Sequence, residues 1–101
     1  MQIENIVIYK QLEFPAAVIS NIIVDGLLGY NYSFAKAQNI AEDVMQGKTF
    51  SDKRKDISIS KRAVVEAMRM YSARNTEIEI EMLSDSPEEI FKIIRENTMF
   101  L

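Results

Sequence analysis

Apolar side chains recur every three or four residues in four segments of the chain, and this spacing predicts four helices. The predicted helices span residues 16–28, 33–46, 60–74 and 86–97. Pro15 stands where the first residue of the first helix would, and Ser33 is a candidate N-cap of the second. The last helix opens on Ser86 and Pro87, followed by two glutamates that suit the positive end of a helix dipole.

Alternating or continuous β-branched residues predict two strands and a short third one. Residues 76–82 alternate strictly, so their isoleucines and Met82 should point to the core and their glutamates to solvent. Residues 3–9 predict a strand that is covered on at least one face. Residues 49–56 are polar and basic without a period, and the alternation over residues 57–60 marks a short strand at most. The side chains that we expect to be most buried are Ile6, Ile8, Ile22, Ile40, Val44, Ala67, Ile78 and Ile80.

This order of elements predicts an α+β fold, in which helices cover one face of a small, mostly antiparallel sheet and a further helix follows. The chain has 101 residues, which is enough for one small domain. We expect residues 1–83 to form its core and residues 84–101 to form a helical extension. The apolar edge of this extension is too large to leave in water, so it should pack on the core, on a partner or in a homodimer. That edge consists of Ile90, Phe91, Ile93 and Ile94.

The composition limits the chemistry that the chain can perform. It contains no histidine and no cysteine, so disulfides, thiolate metal sites and histidine-based catalysis are excluded. Its serines have no histidine to activate them, and no acidic loop of the calcium-binding kind is present. We therefore expect no enzyme activity, no metal and no cofactor. No apolar run is long enough to cross a bilayer, which gives a cytoplasmic location without membrane contact as the expectation.

Charge is distributed unevenly along the chain. Residues 48–74 hold eight basic and three acidic side chains, a net charge of +5, and residues 76–101 hold seven acidic and two basic ones, a net charge of −5. The basic segment is a candidate surface for nucleic-acid phosphate or for an acidic protein partner. An overall pI near 4.9 favours the alternative of a solvated surface. The candidate residues are Lys53, Arg54, Lys55, Lys61, Arg62 and Arg69.

A second candidate surface is apolar and aromatic. Four such side chains flank the first predicted helix at its two ends, namely Leu12, Phe14, Tyr30 and Tyr32. They either line a groove for a peptide or cover the edge of the core. Phe100, near the apolar C-terminal end of the sequence, should pack on the body, pair with another copy or bind a partner.

The order and lengths of the elements over residues 3–82 resemble the core of the ClpS adaptor family. They also resemble the C-terminal domain of the bacterial ribosomal stalk protein, which has the same fold. The matching parts are a strand before Pro15, a helix from Ala16, a second helix from Ser33 to Met45, the turn Gly47-Lys48, and a helix that contains Tyr71 before a last strand. The resemblance implies a ClpS-like sandwich that engages a larger machine.

ClpS proteins bind the free N-terminus of a degradation substrate. An Asn-Asp-Asp run before the helix-starting proline and a histidine on the second helix hold the substrate ammonium. The corresponding positions here are Lys10, Gln11 and Leu12, with Met45 near the position of the histidine. Because a lysine repels an ammonium and apolar side chains accept no hydrogen bond, we expect peptides with a free N-terminal aromatic residue or leucine not to bind tightly.

Two classes of function follow from these observations. The first is a non-catalytic protein-interaction module, an adaptor or inhibitor that acts on a larger cellular machine such as a protease or the translation apparatus. The alternative is a nucleic-acid-binding protein that uses the basic surface of residues 48–74.

Overall fold

Four helices and two small antiparallel sheets make up the part of the chain that the computed structural model describes, which is residues 6–9, 12–74, 82–83 and 85–98. The order is β1 (Ile6–Tyr9), β2 (Leu12–Pro15), α1 (Ala16–Leu28), α2 (Phe34–Met45), β3 (Phe50–Asp52), β4 (Ile57–Ile59), α3 (Lys61–Arg74) and α4 (Pro87–Thr98). Strand β1 pairs with β2, and β3 pairs with β4. The predicted α+β class is confirmed, and its described strands form two separate pairs.

Helices α2 and α3 begin where the hydroxyl of a serine accepts a hydrogen bond from one of the first backbone N–H groups. The Ser33 hydroxyl accepts a hydrogen bond from the Lys36 backbone N–H at 3.2 Å, which confirms the predicted N-cap of α2. Ser60 caps α3 in the same way and accepts from the Ala63 N–H at 3.1 Å. Pro15 is a correction, because it ends β2 with an extended backbone and stands at the N-cap position of α1 rather than inside the helix.

Helix α4 lies against α1, α3 and β4 and so completes the core. The four side chains of its predicted apolar edge are buried, namely Ile90, Phe91, Ile93 and Ile94. The Phe91 ring packs directly on Gly26 of α1, where any side chain would overlap it. The hydroxyl of Tyr71 in α3 donates to the hydroxyl of Ser86 at 3.0 Å, which ties α3 to the start of α4. The division of the chain after residue 83 stays a prediction. None of the helices within the described ranges is long and apolar enough to span a membrane.

The inward face of β1 is the opposite of the one predicted. Ile6 and Ile8 are exposed, at 51% and 70% of their surface, whereas Val7 between them is buried at 7%. Val7 pairs across the sheet with Phe14, whose ring enters the core. A continuous apolar run has no polar residue to mark its outer face, so the pattern could not distinguish the two orientations.

The predicted core residues of the helices are confirmed, since Ile22, Ile40, Val44 and Ala67 are buried. The predicted strand over residues 76–82 lies outside the described residues except for its end, and with it Ile78 and Ile80. At that end the prediction is wrong, because Met82 is in a helical turn and 51% exposed. Its neighbour Leu83 is buried instead and takes the inward position.

Two strands were not predicted. Strand β2 occupies the positions just before α1, and β3 lies within the polar stretch of residues 49–56. Asp56 closes the β3–β4 turn with a left-handed backbone, φ 53°, which an aspartate tolerates better than most residues. Strand β3 is three residues long, and Phe50 is its large apolar side chain. A strand this short contains too few apolar residues for a pattern of alternation to be recognised.

Candidate functional site

Two adjoining clefts lie on the surface beside α4, and both are lined by Tyr30, Phe91 and Arg95. The hairpin cleft lies between α4 and the β3–β4 hairpin and has a volume of about 300 Å³. The helix cleft lies between α4 and the C-terminal end of α1 and has a volume of about 410 Å³. Together they form what we call the groove, and each part is of a size that admits a side chain of a bound peptide.

Tyr30 forms the partition between the two clefts. Helix α1 ends just before it, and its backbone N–H donates to the Leu27 carbonyl at 2.9 Å. Asn31 then reverses the chain with φ 68°. The centre of the Tyr30 ring lies 6.5 Å from that of Phe91, and the Arg95 guanidinium lies over the Tyr30 ring at 5.8 Å. An aromatic ring covered by a cation thus stands at the middle of the groove.

The hairpin cleft has an apolar floor and a polar rim. Buried side chains of β4 and α4 form the floor, namely Ile57, Ile59, Phe91 and Ile94. The rim carries Lys53, Asp56 and two serine hydroxyls, those of Ser51 and Ser58, which lie 3.5 Å apart. An apolar side chain can therefore bury itself in this cleft while hydroxyls at the rim bind polar backbone groups.

The helix cleft is more acidic. Its floor includes Phe91 and Gly29, and because Gly29 is exposed, the end of the α1 backbone is accessible from the cleft. Three exposed carboxylates line it, those of Asp25, Glu88 and Glu96, against the basic side chains Lys92 and Arg95. The last turn of α1 contains no basic residue, so the negative end of its dipole is not neutralised from within the helix.

A clasp of polar contacts holds the β3–β4 hairpin against the loop that contains Tyr30. The Tyr32 hydroxyl donates to the Asp52 carboxylate, and the Lys55 ammonium donates to the Tyr30 carbonyl oxygen. The same ammonium lies 4.2 Å from the centre of the Tyr32 ring. Phe50 packs edge-on against that ring, with centres 5.8 Å apart. Because the clasp ends on Tyr30, it fixes the partition of the groove.

The clasp shifts the acidity of both of its ionisable oxygen groups. Burial raises the pKa of Tyr32 to about 12, and the Asp52 carboxylate that accepts its hydrogen bond adds to the effect. The hydrogen bond from Tyr32 in turn lowers the pKa of Asp52, aided by the backbone N–H groups of Arg54 and Lys55. Tyr32 is therefore a neutral hydrogen-bond donor at physiological pH.

The stabilising effect of Tyr32 should be lost at alkaline pH. In the folded state the pKa of Tyr32 is about 12, whereas an unfolded tyrosine ionises near 10. The contribution of Tyr32 to the free energy of unfolding is therefore complete below about pH 10 and falls as pH rises towards 12. The difference in unfolding free energy between wild type and Tyr32→Phe should accordingly shrink from about pH 9 to about pH 11. Urea unfolding at both pH values measures it, and a constant difference would contradict the assignment.

The structure separates the predicted basic residues. Lys53, Arg54 and Arg62 are exposed and Lys61 is half-buried. Arg69 bonds Glu66 of its own helix at 2.7 Å, and Lys55 belongs to the clasp. The six therefore differ in environment, and Lys53 is the one that lines the groove.

The predicted aromatic residues also have different positions. Phe14 is buried in the core and Tyr32 is buried in the clasp, whereas half-buried Tyr30 lines both clefts. Phe100 lies outside the described residues, as does the side chain of Leu12. Sequence reasoning missed the groove role of Phe91 and Arg95, although their spacing of four residues places them on one face of α4.

Neutralising Lys55 should destabilise the protein, while the same change at Lys53 should not. Lys55→Met keeps the aliphatic stem but removes the donor to Tyr30 and the cation beside Tyr32, at a cost of about 1–2 kcal/mol. Lys53→Met alters an exposed side chain two residues away and should change the free energy of unfolding by less than about 0.5 kcal/mol. Urea unfolding followed by circular dichroism compares them. Equal effects of the two substitutions would show that the contacts of Lys55 with Tyr30 and Tyr32 contribute nothing to stability.

Comparison of the chain with models of protein families, with curated proteins and with solved structures finds no match. Within the described residues, acidic side chains do not gather in threes or more in a way that could hold a metal ion. Among the described residues, the groove is a surface whose shape and lining suit a ligand.

Proposed function

We propose that this protein is a non-catalytic protein-interaction module that binds a linear segment of a partner in the groove. The observation that carries the proposal is the pair of clefts on either side of Tyr30, with Phe91 in the floor of both. A segment that spans them would place side chains in two adjacent pockets while its backbone crosses the partition. We further propose that the protein acts as an adaptor or inhibitor of a larger machine such as a protease or the translation apparatus, a proposal that rests on the resemblance of its predicted elements to the ClpS family.

The chemistry of the groove supports binding rather than catalysis. Its hydroxyl groups belong to Ser51, Ser58 and Tyr30, and the chain has no histidine to activate them. The nearby Tyr32 keeps its proton until about pH 12 and donates it in a hydrogen bond to Asp52, so it is a poor base at neutral pH. Apolar floors with few polar groups at the rim are typical of recognition sites.

The contacts of the basic side chains favour a protein partner over nucleic acid. Lys55 is held by Tyr30 and Tyr32, and Arg69 is bonded to Glu66, so two of the six candidate cations serve the fold. Phosphate binding needs several exposed cations together, because its affinity scales with the number of neutralised charges. Lys53 and Arg54 remain adjacent and exposed on the β3–β4 turn.

Selection from a displayed library of random short peptides on the immobilised protein tests the proposal. Enriched peptides should lose at least about tenfold in affinity for Gly29→Gln, which obstructs the helix cleft, and for Ser58→Gln, which obstructs the hairpin cleft. Ala35→Gln adds a similar side chain to an exposed site on α2 that lines neither cleft and should bind normally.

Two outcomes would overturn the proposal. One is the absence of any enriched peptide, and the other is enrichment that both obstructing variants leave unchanged. A short single-stranded oligonucleotide serves as the second probe at physiological salt. Tight binding of this oligonucleotide that Lys53→Glu with Arg54→Glu abolishes, in a protein that selects no peptide, would establish the nucleic-acid alternative.

A further inference from the structure

The charges around the groove do not balance. Its lining includes five carboxylates and three basic side chains, a net charge of −2. Asp52 is engaged by the Tyr32 hydroxyl and by the Arg54 N–H at 3.0 Å, so its charge is already solvated by the protein. The excess negative charge is therefore carried chiefly by the helix cleft and by Asp56 at the rim of the hairpin cleft.

Two acidic side chains of the helix cleft, those of Asp25 and Glu96, stand in the last turn of their helices, where the dipole disfavours a carboxylate. Asp25 lies in the last turn of α1, where a carboxylate faces the negative end of the dipole, and no basic residue offsets it there. On α4, Glu96 lies in the last turn, whereas Glu88 lies in the first turn, where the dipole favours a carboxylate, so Asp25 and Glu96 are the two unfavourable positions. Positions that break a local rule in this way mark candidate functional sites.

We propose that the helix cleft takes the arginine or lysine side chain of a partner segment whose neighbouring apolar side chain fills the hairpin cleft. This inference rests on the proposed function and specifies its ligand. The aliphatic stem of the partner side chain packs on the backbone of Gly29 and on the Tyr30 ring, and its cationic head meets the carboxylates of Asp25 and Glu88. Binding adds a positive charge near the C-terminal end of α1, whose last turn contains no basic residue of its own.

The composition of the selected peptides tests this inference. Peptides enriched on wild type should contain arginine or lysine next to a large apolar residue and should be depleted of aspartate and glutamate. Replacing that arginine in a synthetic copy by citrulline, which has the same shape without the charge, should weaken binding about three- to fivefold, as for a partly exposed ion pair. The difference should diminish at high salt.

Two neighbouring glutamates provide a matched pair of variants. Glu88 and Glu89 are both exposed and both lie in the first turn of α4, so they interact alike with the helix dipole, but Glu88 lines the cleft and Glu89 does not. Glu88→Gln should remove much of the preference for arginine over citrulline, and Glu89→Gln should retain it. Titration calorimetry with the two peptides measures both.

The outcomes separate this inference from the proposed function. Enriched peptides that occupy the groove without a basic bias, or that bind equally well with citrulline, would overturn the charge preference and leave the groove as a peptide site. If Glu88→Gln and Glu89→Gln lost the preference for arginine equally, the preference would come from the overall negative potential of the surface rather than from a contact in the helix cleft. That result would also overturn the inference. A failure to select any peptide would overturn both proposals.

Discussion

Replacing Phe91 with alanine should lower the free energy of unfolding by about 3–5 kcal/mol. The ring is 4% exposed, packs on Gly26 and lies close to Tyr30, so its removal leaves a cavity between α1 and α4. A loss of this size is a large part of the about 5–15 kcal/mol that stabilises a typical domain. Urea denaturation of wild type and variant, followed by circular dichroism, gives the difference.

The neighbouring residue offers the control for this experiment. Lys92 follows Phe91 on α4 but is exposed, so Lys92→Ala should change the free energy of unfolding by less than about 0.5 kcal/mol. If Phe91→Ala were no more destabilising than Lys92→Ala, α4 would not be part of the cooperative core. The same result would deprive the groove of its floor, because Phe91 lines both clefts.

The helices were predictable because each one carries its own signals. The recurrence of apolar residues every three or four positions indicates which face of a helix is buried. Ser33 indicates the start of α2, and the hydrogen bond that its hydroxyl accepts from the Lys36 N–H confirms this N-cap. The apolar edge of α4 was also predictable, because Ile90 and its apolar neighbours recur at helical spacing. The pattern did not show which elements this edge packs against, because periodicity describes a single helix and not its neighbours in the fold.

The strands and the groove were harder to predict for the same reason. The buried face of β1 depends on its pairing with β2, which places Val7 opposite Phe14, and nothing within β1 itself indicates this. Lys55 belongs by sequence to a basic run, and only the return of the chain beside Tyr30 gives it a structural role. The groove requires α1 and α4 to be adjacent although more than fifty residues separate them.

A second prediction follows from the contact between Gly26 and Phe91, and it concerns substitutions at both positions. Gly26→Leu should destabilise the wild-type protein by about 3 kcal/mol, because its side chain would occupy the space of the Phe91 ring and force the two helices apart. In the Phe91→Ala protein the same substitution should instead raise stability, since the leucine fills the vacated volume and replaces a glycine in a helix. The coupling energy between the two positions, which is the difference between these two effects, should therefore be at least about 3 kcal/mol, at the upper end of the usual range.

A double-mutant cycle on these two positions, measured by urea unfolding, decides whether α1 and α4 meet as described. Ala17→Leu is the control, because Ala17 also lies on α1 but is exposed and lines neither cleft. It should show little coupling to Phe91→Ala. If Gly26→Leu destabilised both backgrounds equally, the Phe91 ring would not lie on Gly26, and the two clefts would lose the floor that they share.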